Sequence, residues 1–112
     1  MIVTTTPEIA GTRILKTLGL VRGCSVRCTD LGSDIIATMK NLVGGEIDEY
    51  TKMLAEAREQ ALDRMMEAAI ELGANAVVGF HYMTSHITSG AAEILAYGTA
   101  VILEEPHTDL DL

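Results

Sequence analysis

Residues 46–72 read EIDEYTKMLAEAREQALDRMMEAAIEL and are followed by Gly73. Within them Ile47, Tyr50, Leu54, Ala57, Ala61, Met65, Ala68 and Leu72 recur at steps of three and four residues, which predicts an α-helix with one apolar stripe. The helix is expected from about Glu46 to Leu72, and Gly73 offers the left-handed C-cap that would end it. A helix of this length with one apolar stripe must pack against something, so the flanking sequence decides the fold.

Downstream, residues 76–87 and 93–103 are β-like runs joined by Thr88-Ser89-Gly90-Ala91-Ala92, the length and chemistry of a hairpin loop. Upstream, residues 2–6 are β-prone and end at Pro7. Residues 12–27 are rich in Leu, Val and Ile and read as a long strand bent or bulged near Gly19 and Gly23, or as two shorter strands. Between this strand and the long helix, Thr29, Asp30 and Ser33 offer N-cap oxygens. Ile35, Ile36, Met39 and Leu42 then follow helical spacing as far as Gly44-Gly45, predicting a short helix.

The order strands, helices, strands predicts an α+β fold: a two-layer domain with an antiparallel β-sheet, one long packed helix and one short helix. Residues 1–105 form one domain and residues 106–112 a short acidic tail. One helix covers little more than one face of the sheet. Yet both alternating sets of the 76–103 region are apolar: Val77, Met83 and Ile87 fall on one, Val78, Phe80 and Tyr82 on the other. The second face therefore needs cover from another subunit, by edge pairing or by sheet packing.

Composition narrows the function classes. The 112 residues fit a single domain, and a chain of this size buries roughly two-thirds of its unfolded surface without staples. The formal charge of −8 repels phosphate backbones and anionic lipid, and Trp is absent while Phe occurs once, so base-stacking anchors are scarce. Neither nucleic acid nor a membrane surface is an expected partner. No apolar run approaches the ~20 residues a bilayer requires, and the first residues lack a signal-peptide pattern, so a cytoplasmic location is expected.

Cys24 and Cys28 are the only thiols. On one strand their Cα atoms stand ~13 Å apart at ~3.3 Å per residue, beyond the reach of a disulfide or of a single ion held by both sulfurs. Free cysteine is commonly a small buried hydrophobe. The metal reading, a soft or divalent ion, holds only where Cys24 and Cys28 of several chains converge in an oligomer. His81 and His86 are five residues apart and occupy opposite faces of a strand, so they cannot share an ion. His86 lies near the hairpin end, where it could stand across from Glu93 as a surface hydrogen bond or half of an acid/base pair. Glu59, Asp63, Glu67 and Glu71 recur every fourth residue and form an acidic ridge, read as a solvated face partly relieved by Arg58 and Arg64. Such a ridge could also hold a cation or dock Arg13, Arg22 or Arg27 of another subunit. Gly44-Gly45 precedes the acidic first turn of the long helix, which suits a tight turn better than an anion cradle. No Ser/His/Asp, Cys/His or paired-carboxylate spacing marks a catalytic set, so no catalytic residue is assigned.

The segments Thr4-Thr5-Thr6-Pro7, Val43-Gly44-Gly45-Glu46, Tyr50-Thr51, Glu56-Ala57-Arg58, Leu72-Gly73-Ala74-Asn75-Ala76-Val77-Val78-Gly79 and Tyr97-Gly98-Thr99-Ala100-Val101 together resemble the YbjQ family, described as heavy-metal-binding proteins. The resemblance runs to about Leu103. It implies an antiparallel sheet with a long packed helix, assembled into a ring-like homopentamer, and it implies no known enzyme activity. Many members of the family carry Glu and Gly where this chain has Cys24 and Cys28, and Arg where it has Glu46, which leaves room for the thiols as a local specialisation and puts a family-wide cysteine site in doubt. The function expected is a homo-oligomeric binding module for a heavy metal or small ligand at subunit interfaces. The alternatives are a structural or interaction ring without ligand and, third, an enzyme with inter-subunit sites.

Overall fold

The long helix and the strands around it meet at one glycine. In the computed structural model, which describes residues 1–28, 47–88 and 91–105, the side chains of Cys28, residues 47–50 and Thr88 also lie outside the description. Strand β1 spans Ile2–Val3, β2 Ile14–Cys28, helix α1 Ile47–Glu71, β3 Ala76–Thr88 and β4 Ala91–Leu103. The strands form one sheet in the order β1-β3-β4-β2. β3–β4 and β4–β2 are antiparallel, and the two-residue β1 adds a short parallel pair to β3. The fold is α+β, a mixed four-stranded sheet with one helix packed on it among the described residues. The expected short helix over 29–44, the loop residues 89–90 and the tail 106–112 lie outside the described residues.

α1 ends as its sequence dictates. Gly73 has φ +87°, the Gly73 amide donates to the Ile70 carbonyl at 2.9 Å and the Ala74 amide to the Ala69 carbonyl at 3.0 Å, a Schellman cap. Its buried face is Ala57, Ala61, Met65 and Ala69, whereas Leu72, expected on the stripe, is half exposed beyond the helix end. A strict four-residue step precesses about 40° around the helix each time, since each residue turns about 100°. The buried row thus follows the twist of the sheet. Small alanines let the helix axis approach closely. At Gly23 of β2 the approach is complete: a Cβ there would collide with the Ala61 carbonyl oxygen and the Met65 amide nitrogen. Gly23 is therefore no bend, because the register runs unbroken from Gly19 to Cys28. The bulges of β2 lie earlier, between Ile14 and Lys16 and between Thr17 and Gly19, where Gly19 has φ +127°.

A third irregularity reverses the sides expected for β3. The register slips between Val78 and His81, around Gly79 at φ +61°. Val77 consequently packs under α1 together with Phe80, while Val78 turns to the far face and joins Ala76, Val101 and Leu103 beneath Ile9 and Ile14. Strict alternation from Val77 would have placed Val77 with Met83 and Val78 with Phe80; the inserted residue exchanges the two sets at Gly79. Asn75 anchors this end, its side-chain oxygen accepting the Leu103 amide at 2.7 Å and its amide donating to the Leu103 carbonyl at 3.2 Å.

Gly23→Ala is expected to cost about 3 kcal/mol, because backbone rather than a flexible side chain meets the new methyl. Urea unfolding followed by far-ultraviolet dichroism measures this, and a change within error of zero contradicts the close packing.

Candidate functional site

The sheet face away from α1 carries the sequence-predicted chemistry. Val21, Gly23 and Ser25 of β2 are buried toward the helix, as are Ile94 and Ala96 of β4. Alternation then sends Leu20, Arg22, Cys24 and Val26 to the far side, with Glu93, Leu95, Tyr97 and Thr99 beside them. The register aligns three rows across the strands: Arg22–Tyr97–His81, Cys24–Leu95–Met83 and Val26–Glu93–Ser85. At the Leu103 end this face is closed by Ile9 and Ile14. At the other end it lies open, with Leu20 67%, Val26 51% and Met83 51% exposed.

Cys24 sits within this open area, partly buried. Burial raises its thiol pKa, the negative charge of Glu93 and a hydrogen bond to that carboxylate raise it further, and Arg64 opposes them. The raised pKa keeps the proton on the thiol, and a cation that displaced it would lie between one sulfur and one oxygen. Cys28 is the last residue of β2, opposite Ala91. Its backbone position lies about 13 Å along the strand from that of Cys24. Among the described residues no group of three or more His, Cys, Asp or Glu side chains converges as a metal cluster.

His81 stacks on Tyr97, ring centroids 5.9 Å apart and 21° from coplanar. Its Nδ1 lies 3.1 Å from the Gly79 carbonyl oxygen. A carbonyl only accepts, so Nδ1 donates this hydrogen bond. His86 stands opposite Ala92, and Glu93 stands opposite Ser85. The suggested His86–Glu93 pair therefore does not form, because the two positions differ by one residue in register and occupy opposite faces.

The acidic ridge of Glu59, Asp63, Glu67 and Glu71 is exposed along α1. A shallow open groove beside it is lined by Lys52, Glu56, Arg58, Glu59, Gln60 and Asp63. Arg64 does not relieve the ridge: its guanidinium donates to the Cys24 carbonyl on the edge of β2. Among the described residues the ion pair present is Arg13–Glu104 at 3.8 Å, between exposed side chains.

Sequence reasoning missed a polar contact under the helix. Ser25 is fully buried and donates to Gln60 Oε1 at 2.8 Å, and Arg27 donates to the same oxygen at 3.3 Å. The signal was present: 21, 23, 25 and 27 share the helix-facing parity of β2, and Gln60 adjoins Ala61 of the buried row.

Comparison with known proteins bears on this geometry. A family model described as "Putative heavy-metal-binding" (YbjQ) matches residues 1–104. A UPF0145 protein of Thermotoga maritima is 58% identical over 105 residues, covering 94% of this chain and 99% of that protein. A UPF0145 protein of Pyrococcus furiosus is 55% identical over 104 residues, covering 93% and 91%. Among solved structures, a protein of unknown function of the DUF74 family from Pediococcus pentosaceus superposes with a TM-score of 0.64 at 20% identity, covering 93% of this chain and 98% of that one, a likeness of fold. The match over residues 1–104 and the identities above one half place the chain in the YbjQ (UPF0145) family.

Proposed function

We propose that this chain is a cytoplasmic subunit of a ring-like homopentamer and that the ring binds a heavy-metal ion where subunits meet, with Cys24 and Glu93 as donors from one chain. The observation that carries this reading is the open sheet face: apolar side chains half to two-thirds exposed surround a partly buried thiol held protonated beside the Glu93 carboxylate. A second copy covering this face would remove Leu20, Val26 and Met83 from water at about 25 cal/mol per Å2 of apolar area. The same contact would shield Cys24 and bring donors of another chain toward it.

The shape of the single chain points the same way. Its extents are 64 × 25 × 19 Å and its radius of gyration is 18.6 Å, against about 13 Å for a compact domain of about 100 residues. The distal hairpin leaves Tyr82, Met83 and Ile87 exposed, an arrangement suited to a subunit. The family's description supplies the metal class, and a thiol beside a carboxylate suits a soft or borderline ion. Cys24 and Cys28 of one chain are too far apart to share an ion, so further ligands come from neighbouring chains, Cys28 among the candidates. No helix among the described residues is long and apolar enough to cross a membrane.

Native mass spectrometry of reduced, chelator-free protein offered zinc tests the assignment. The expected spectrum is a pentamer with bound metal that Cys24→Ser removes while the pentamer persists. A metal-free pentamer indifferent to Cys24→Ser overturns the metal reading and leaves the ring itself as the functional object.

Assembly depends on the open face, so Leu20→Glu together with Val26→Glu is expected to yield a folded single chain of 12.0 kDa by light scattering. Retention of the wild-type mass contradicts the face contact. Metal uptake should also strengthen with rising pH, by up to about tenfold per pH unit while each ion displaces one proton from the raised-pKa Cys24 thiol. A pH-independent affinity in competition titrations with a chromogenic chelator excludes Cys24 as a ligand.

A further inference from the structure

We draw no further inference here: the strongest candidate, the Arg22–Tyr97–His81 row on the open sheet face away from α1, where the His81 ring stacks on Tyr97, carries nothing because it belongs to the face already described and nothing in the structure shows what covers the exposed Arg22 and His81.

Discussion

Backbone meets backbone where α1 crosses β2. The absent side chain of Gly23 lets the Ala61 carbonyl and the Met65 amide sit against the strand, and the alanines at 57, 61 and 69 keep the helix at that distance along its buried row. Helix and sheet this close leave little volume between them, which explains a core filled by alanine and valine with Met65 and Ile94 as its large members. The same closeness fixes the parity of β2: with Gly23 under the helix, Val21 and Ser25 must follow it inward, and Cys24 must face outward. The location of the candidate site is thus set by a packing contact on the other side of the sheet.

The outward face inherits what the helix cannot cover. Among the described residues one 25-residue helix protects one layer of the four-stranded sheet, and Ile9 and Ile14 close the far face near Leu103. The remainder combines apolar side chains with Arg22, Cys24, His81 and Glu93, a mixture that is costly to hide unless the polar groups find partners. Glu93 accepts from the Cys24 thiol, and His81 places Nδ1 on the Gly79 carbonyl. Burial of this surface by another copy would therefore be selective about what enters with it.

The fold class was legible because its signals are local. The four-residue recurrence of Ala57, Ala61 and Met65, the cap at Gly73 and the two β-like runs after it each depend on neighbours within a few residues. Two features were not legible for opposite reasons. Gly23 looks like Gly19 in sequence, yet one relieves a contact 38 residues away and the other a positive φ, a distinction only tertiary structure makes. The slip at Gly79 displaces every later side chain of β3 by one position, so period-two reasoning from Val77 assigns the wrong face from Phe80 onward. The same one-residue sensitivity defeats the His86–Glu93 pairing. Of the candidate site, the outward side of Cys24 depends on the contact at Gly23, and only the ~13 Å between the two cysteine positions was readable from strand geometry. The proximity of Glu93 was not, because it depends on the β2–β4 register.

The central claim is that another copy of this chain covers the open sheet face. Solution scattering with mass determination on the wild-type protein addresses it most directly. The account predicts the mass of a pentamer of 12.0 kDa chains, with a radius of gyration of the particle well above the 18.6 Å of one chain. A particle of 12.0 kDa that retains 18.6 Å, with Leu20, Val26 and Met83 left in water, would contradict it.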